Sequence, residues 1–183
     1  MGISNEHLLQ NLQDIIQLKK ENPGDIVLLL GNHDLHYFDS KIEKGTRYDF
    51  DLAPDAKALF LNNRKLFQYA YQKDFCIFTH AGISHKWFTE DFKGDMHQNI
   101  AEQLNNPKQE QIESLYKYGF FRGGDIDAVG GIFWADAREL YQPLQGYTQI
   151  VGHNRVKDIV DHTKNGGRII FCDCLFNEHY LKI

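Results

Sequence analysis

The chain has 183 residues, which is enough for one domain with a sizeable apolar core. Its 42% hydrophobic and 25% charged residues are typical of a globular protein, and a net charge of -5 at pH 7 argues against a main role in binding nucleic acid. No apolar stretch reaches the length of a membrane span, so we expect no membrane association, and the polar first residues predict no signal peptide.

The three cysteines, Cys76, Cys172 and Cys174, lie within apolar, strand-like runs. An odd number of thiols in such places favours reduced, buried cysteines and predicts a cytoplasmic location. Because the Cys172-x-Cys174 pair has no second pair to match it, we do not expect a structural zinc site of four cysteines.

The chain is predicted to begin with an amphipathic helix at residues 7–20, which Ser4 or Asn5 caps and Pro23-Gly24 ends. Its predicted apolar face consists of Leu8, Leu12, Ile15, Ile16 and the stem of Lys19. The aliphatic run at 26–30 then predicts a strand that is buried on both faces. This strand ends in Gly31-Asn32-His33-Asp34, and open α/β sheets place their ligands at such carboxyl ends, so we expect a site at this turn.

The middle of the chain alternates between helical and strand-like patterns. Residues 36–53 predict an irregular segment, residues 55–72 a second helix, and residues 75–78 a second buried strand that ends in Thr79-His80-Ala81-Gly82. The stretch at about 85–131 is polar, helical in character and rich in glycine towards its end. We expect it to be an insertion that forms a lid or rim rather than a second domain.

The last third of the chain predicts a short strand at 132–134, a third main strand at 147–151 and a fourth at 168–176. The third strand ends in Gly152-His153, and a hairpin-like turn at Lys164-Asn165-Gly166-Gly167 precedes the fourth. No repeat or linker divides the sequence. We therefore predict one α/β domain over residues 1–183.

Three predicted strand ends thus carry a histidine close to a glycine. If these strands are neighbours in one sheet, Asn32, His80 and His153 meet at its carboxyl edge and form a partial shell for manganese, iron or zinc. His33 cannot share the direction of Asn32 and is better placed to donate a proton to a leaving group. A single such histidine is usually structural, but three at three strand ends favour a site. Phe133 and Trp134 are interpreted as core residues.

The runs Gly31-Asn32-His33-Asp34, Thr79-His80-Ala81-Gly82 and Gly152-His153, in this order and at this separation, resemble the third, fourth and fifth motifs of the calcineurin-like metallophosphoesterases. The segments 63–67 and 143–147 make the chain most similar to the bacterial branch related to protein Ser/Thr phosphatases. The resemblance covers nearly the whole chain. It implies a β-sandwich core flanked by helices that carries a site for two metal ions.

The resemblance also implies roles for individual residues. Asn32, His80 and His153 would bind one metal ion, His33 would be the catalytic acid, and Asp34 would take the place of the carboxylate that orients it. The implied reaction is in-line attack on a phosphomonoester by a metal-bound hydroxide. The phosphorylated substrate would be a phosphoprotein or a small phosphoester such as a nucleotide.

The first two motifs of the family, Gly-Asp-x-His and Gly-Asp-x-x-Asp, have no counterpart in the sequence. The resemblance therefore implies an N-terminally truncated domain that lacks the ligands of the first metal and the aspartate that bridges both ions. We expect this chain alone to bind at most one ion, weakly, and to hydrolyse phosphoesters slowly or not at all. Loss of two strands would also expose a sheet edge through which the chain self-associates.

Trp134-Ala135-Asp136 stands where many bacterial relatives have Trp-x-Arg, so the phosphate-binding arginine of those relatives has no counterpart at this position. The candidates are Arg122, Arg138, Arg155 and Asn154, the last of which either faces the site or caps a turn. Two alternatives stay open: a non-catalytic phosphatase-like domain that binds a partner, and a hydrolase that uses a single metal ion.

Overall fold

The computed structural model describes residues 4–39 and 47–183. These residues form a mixed α/β protein, which confirms the predicted class, and they group into two compact units that meet in sequence between Gln68 and Tyr69. Part of the irregular segment predicted at 36–53, namely residues 40–46, lies outside the described residues. Each unit is considered separately below.

The first unit begins with helix α1 (Asn5–Glu21), which confirms the first predicted helix. Its cap is Ser4, whose Oγ accepts the His7 backbone N–H at 3.4 Å. The predicted apolar face is partly wrong, because Leu8 and Ile15 are 39% and 47% exposed whereas Ile16 is buried. The inward positions are Leu9, Leu12, Ile16 and Lys19, which follow one another at helical spacing.

Strand β1 (Leu28–Leu29) pairs in parallel with β2 (Phe67–Gln68) in a two-stranded sheet. The prediction that this strand is buried on both faces is wrong: Val27 is 38% exposed, and full burial is reached only at Leu30. Within the described ranges, β1 pairs with β2 alone and so belongs to a two-stranded sheet rather than to the interior of a large parallel sheet.

The helix predicted at 55–72 is much shorter in the structure. Helix α2 (Leu35–Phe38) follows the turn after β1, and α3 (Ala53–Asn62) is the second long helix of the unit. It ends where the Asn63 side-chain amide donates to the Leu59 carbonyl at 2.8 Å, and a 3-10 turn (Arg64–Leu66) then leads into β2.

The second unit contains a five-stranded mixed sheet. Its strands are β3 (Ala70–Lys73), β4 (Cys76–Thr79), β5 (Thr148–Arg155), β6 (Val160–Lys164) and β7 (Gly167–Asp173), in the spatial order β3-β4-β5-β7-β6. The three central strands are parallel, and β3 and β6 are antiparallel at the edges. The predictions of β4, β5 and β7 are confirmed, as is the hairpin turn before β7, where Asn165 and Gly166 have φ values of 51° and 78°.

The stretch predicted as a polar lid contributes to the core. It contains a π-helix (Trp87–Asp91), α4 (Ile100–Asn105) and α5 (Ile112–Tyr116), which agree with its predicted helical character. The stretch is less polar in its packing than expected, because Trp87, Phe88, Phe92, Ile100, Leu104 and Leu115 are all fully buried, and its role as a lid or rim stays a prediction. Short 3-10 turns lie at Gln109–Gln111, Phe120–Arg122, Ala137–Glu139 and Leu175–Asn177.

Residues 132–134 form a turn rather than the predicted short strand. Ile132 and Phe133 are nevertheless fully buried, and the Ile132 carbonyl accepts the Ala81 N–H at 2.8 Å. This bond ties the turn to the segment that follows β4. Among the helices of the described residues, none has the length and apolar character needed to cross a membrane.

Candidate metal and phosphate site

The structure brings His80 and His153 together. Strands β4 and β5 are parallel neighbours with Thr79 opposite Val151, so the residues that follow these positions share one edge of the sheet. The Nε2 atom of His80 lies 3.0 Å from the Nδ1 atom of His153, which is hydrogen-bond distance, and the ring centroids are 4.8 Å apart. The prediction that these two histidines meet at the carboxyl edge is confirmed.

An irregularity in β5 sets the direction of His153. The pairing of β5 with β7 changes register between Val151 and Arg155, and His153 itself has a φ of 60°. The Gly152 N–H donates to the His80 carbonyl at 3.0 Å, which fixes the two strand ends to each other. Bulges re-aim side chains, so this irregularity sets the direction in which the His153 imidazole leaves the strand.

The geometry of the two imidazoles suits a shared metal ion. Two nitrogen ligands at about 2.0–2.1 Å from a tetrahedral ion lie about 3.3 Å apart, so the observed 3.0 Å separation needs to change by only a few tenths of an ångström. Within residues 4–39 and 47–183, no group of three or more His, Cys, Asp or Glu side chains is arranged to hold a metal. An ion held by these two histidines would have to take its remaining ligands from amide oxygens or water.

Trp134 lies beside this pair, although the sequence was interpreted as placing it in the core. Its ring centroid is 6.2 Å from that of His153 and 4.5 Å from that of Tyr118. Trp134 is half-buried, unlike its fully buried neighbour Phe133. It forms an apolar wall next to the His153 imidazole, and nothing in the local pattern distinguishes it from Phe133.

Three of the four predicted phosphate-binding residues form one cluster. The Arg138 guanidinium donates two hydrogen bonds to the Asp136 carboxylate, one from Nε at 2.7 Å and one from a terminal nitrogen at 3.1 Å. Arg122 reaches the same carboxylate at 3.1 Å and donates to the Asn154 side-chain oxygen at 2.8 Å. Because Asn154 directly follows His153, this cluster is connected to the histidine pair through the backbone of β5.

Two guanidinium groups share the buried Asp136 carboxylate, and the Glu139 carboxylate also attracts Arg138, so positive and negative charges are balanced in this cluster. Burial of the Asp136 carboxyl tends to raise its pKa, but hydrogen bonds from Arg138 and the charge of Arg122 outweigh it and hold the pKa below its usual range. The side chains of Arg122 and Arg138 are 32% and 61% exposed, so both can contact an anion from solvent. Sequence reasoning missed Asp136, which it treated only as a departure from the family pattern.

Arg155, the fourth of these residues, has a separate partner, and Asn154 has further partners outside the cluster. The Arg155 guanidinium lies over the Phe176 ring, 5.6 Å from its centroid. The Asn154 amide donates to the Ala135 carbonyl at 3.2 Å while its oxygen also accepts the Ala137 N–H at 3.1 Å. Asn154 therefore stabilises the turn at residues 135–137 as well as contacting Arg122.

The turn after β1 belongs to the first unit. Asn32 is buried, His33 is half-buried, and the Asp34 carboxylate accepts the Gly31 N–H at 2.7 Å. Burial raises the pKa of Asp34, and the Gly31 hydrogen bond opposes this only in part. In the described structure β1 lies outside the five-stranded sheet, so the expectation of one sheet edge for all three strand ends is wrong. The roles of Asn32, His33 and Asp34 stay predictions.

No family model matches the chain, and comparisons with curated proteins and with solved structures return no match either.

Proposed function

We propose that the chain is the metal- and phosphate-binding part of a metal-dependent phosphoesterase of the calcineurin-like class, which acts on phosphomonoesters. The observation that supports this most is the pair His80 and His153, whose nitrogens lie 3.0 Å apart at the carboxyl ends of two parallel strands. The β-sandwich core of that class is part of the same proposal.

His80 and His153 would hold the metal ion through the two nitrogens that already face each other. A divalent ion bound there neutralises phosphate charge and lowers the pKa of an attacking water. Manganese, iron and zinc all accept imidazole ligands, and the donor set does not select among them. Without a carboxylate to offset the positive charge, two neutral imidazoles would hold such an ion weakly.

Arg122 and Arg138 would bind the phosphate. A guanidinium group presents several N–H donors in one plane, which matches the geometry of phosphate oxygens. Asp136 fixes both groups before the substrate arrives, so little side-chain freedom is lost when the phosphate binds. Trp134 would shield the His153 side of the site from water. The role of His33 as the catalytic acid stays a prediction that the resemblance implies.

Hydrolysis of p-nitrophenyl phosphate with added manganese tests this function. We expect slow turnover by the chain as given, and loss of that turnover in the His80→Ala variant because one of two metal ligands is removed. The His97→Ala variant, in which an exposed histidine is replaced, is the matched control and should keep the wild-type rate. A wild-type rate equal to that of His80→Ala would contradict the proposal.

The exposed apolar side chains of the second unit favour a second candidate, a non-catalytic phosphatase-like domain that binds a partner. Phe120, Phe121 and Ile126 are 48%, 43% and 82% exposed. Such a domain would bind its partner equally well with and without His80. The two candidates therefore make different predictions for His80→Ala: the phosphoesterase loses its turnover, whereas the non-catalytic domain keeps its affinity for the partner.

A further inference from the structure

One buried carboxylate, that of Glu139, holds the segment 119–131 in place. This segment consists of a 3-10 turn and irregular backbone, and it carries Arg122, one of the two guanidinium groups of the proposed phosphate site. The Oε1 atom of Glu139 accepts the Phe121 N–H at 3.1 Å, and its Oε2 atom accepts the Gly130 N–H at 2.9 Å. The two ends of an irregular segment are thus bound to a single side chain.

The same carboxylate also binds the backbone of the turn that carries it. The Oε2 atom of Glu139 accepts the Asp136 N–H at 3.3 Å. Glu139 is only 7% exposed, and a buried carboxylate is costly unless hydrogen-bond donors surround it. Three backbone N–H groups supply these donors. Both oxygens are therefore used to join the segment 119–131 to the turn at residues 136–139.

Two glycines let the backbone come this close to Glu139. A Cβ atom at Gly119 would overlap both carboxylate oxygens of Glu139, and a Cβ atom at Gly130 would lie 2.6 Å from the Trp134 carbonyl oxygen. A side chain at either position would push the segment away, so the close approach requires glycine. The backbone of this segment is shaped to fit around one carboxylate.

The N–H groups that Glu139 binds belong to the backbone of the arginine cluster. Phe121 directly precedes Arg122, and Asp136 is the residue whose carboxylate pairs with the Arg122 Nε atom at 3.1 Å. Arg138, which directly precedes Glu139, donates to the same Asp136 carboxylate. Glu139 therefore fixes the backbone on both sides of the ion pair between Arg122 and Asp136.

We propose that Glu139 is a positioning residue of this cluster, which holds the backbone under Arg122 and Asp136 so that the guanidinium groups are oriented before an anion binds. The part of this inference that concerns the anion rests on the proposed function. Because the Glu139 carboxylate is buried and bound to backbone N–H groups, it acts through Arg122 rather than on the anion itself. Groups that are oriented in advance lose less freedom on binding.

Nuclear magnetic resonance of the arginine Nε–H groups tests this role, because the Arg122 Nε atom is paired with Asp136. In Glu139→Gln an NH2 group replaces one carboxylate oxygen and cannot accept a backbone N–H. We expect the Arg122 Nε–H signal to move and to exchange faster with water in this variant. We also expect the affinity for inorganic phosphate, followed by the same signal, to fall about tenfold.

Gln111→Glu is the matched control. Gln111 is also 7% exposed, and its side chain also binds backbone groups: it accepts the Lys108 N–H and donates to the Phe92 carbonyl, both at 2.9 Å. Both variants exchange an amide and a carboxyl group on a buried side chain, and both should lower stability. Only Glu139→Gln should change the Arg122 signal and the phosphate affinity. Equal changes in both variants would mean that Glu139 only stabilises the fold, and would overturn the proposal.

Amide hydrogen exchange of the wild-type chain tests the same role without a variant. Because binding and positioning are linked, bound phosphate should slow exchange of the Phe121 and Gly130 amides more than that of the Lys108 amide, which Gln111 holds. Equal protection of all three amides by bound phosphate would overturn the proposal.

Failure of the proposed function gives a different result. In that case the Arg122 Nε–H signal shifts in Glu139→Gln, but phosphate does not move this signal in the wild type. Glu139 would then position the ion pair between Arg122 and Asp136, whereas the phosphate site, and with it the proposed function, would be wrong.

Discussion

The two histidine-bearing regions, the turn after β1 and the paired ends of β4 and β5, look alike in sequence but are built differently. In the first, the Asp34 carboxylate closes the turn by binding the N–H of Gly31, three residues away. In the second, His80 and His153 lie 73 residues apart in the chain and meet through the pairing of parallel strands. The first is a local structure, whereas the second depends on the register of the sheet.

The two regions also differ in which of their polar groups are engaged by the backbone of the same turn. The carboxylate of the first region is already engaged by its own backbone, which stabilises the turn. The second region has two imidazole nitrogens at hydrogen-bond distance from each other, and Asn154, which follows His153, accepts a hydrogen bond from Arg122 of the arginine cluster. The proposed metal and phosphate sites therefore both lie within the second unit.

The largest effect on stability is expected from Asp136→Ala. This change leaves Arg122 and Arg138 without their shared carboxylate, and we expect a loss of about 2 kcal/mol, less than for a fully buried pair because Arg138 is 61% exposed. Because the pKa of Asp136 is lowered in the fold, its contribution is present at neutral pH and is lost as pH falls below the usual aspartate pKa. Urea unfolding of the wild type and of Asp136→Ala at neutral and acidic pH measures the loss of stability and its dependence on pH.

Asp161→Ala is the matched control for that experiment. Asp161 also pairs with an arginine, Arg168, but both side chains are nearly half exposed, so its removal should have a much smaller effect. If Asp136→Ala and Asp161→Ala lowered the free energy of unfolding equally, the buried carboxylate of Asp136 would stabilise the fold no more than an exposed one. The second region would then not depend on its long-range ion pairs in the way that distinguishes it from the local first region.

A smaller effect is expected at Asp34. Asp34→Ala removes the acceptor for the Gly31 N–H and should lower stability by about 1–2 kcal/mol. Asp34→Asn keeps an oxygen acceptor and removes a buried charge. Since burial raises the pKa of Asp34, the wild type loses stability as pH rises through that pKa, and the asparagine variant should not show this loss.

Urea unfolding from about pH 4 to about pH 7 separates the two contributions of Asp34. The expected result is a difference between wild type and Asp34→Asn that grows with pH in favour of the variant. An identical pH dependence of the free energy of unfolding for both chains would contradict this prediction. It would show that ionisation of the buried Asp34 carboxyl does not destabilise the fold.

The elements that the sequence predicted correctly depend on local patterns. Helix α1 follows from helical periodicity and a capping serine, and β4, β5 and β7 follow from apolar runs bounded by glycine or polar residues. The meeting of His80 and His153 was also predictable, because parallel strands place their carboxyl ends at one edge of a sheet.

The missed features depend on contacts that are distant in sequence. Strand β3 was predicted as helix, and its first residue is fixed by Asn105, whose side chain exchanges two hydrogen bonds with the Ala70 backbone. Asp136 became important only when the fold brought Arg122 to it from 14 residues earlier in the chain. Trp134 and Phe133 are adjacent aromatic residues in one turn, yet Phe133 is fully buried and Trp134 is only partly buried. Single-residue patterns carry no information about such pairings.

Calorimetric titration of manganese into the chain tests the central claim, that His80 and His153 form a metal site. We predict weak binding of a single ion, with an affinity at least about tenfold lower in His153→Ala than in the wild type and unchanged in the control His97→Ala. Equal manganese affinity in the wild type and His153→Ala, or occupancy by two ions at micromolar concentration, would contradict the account.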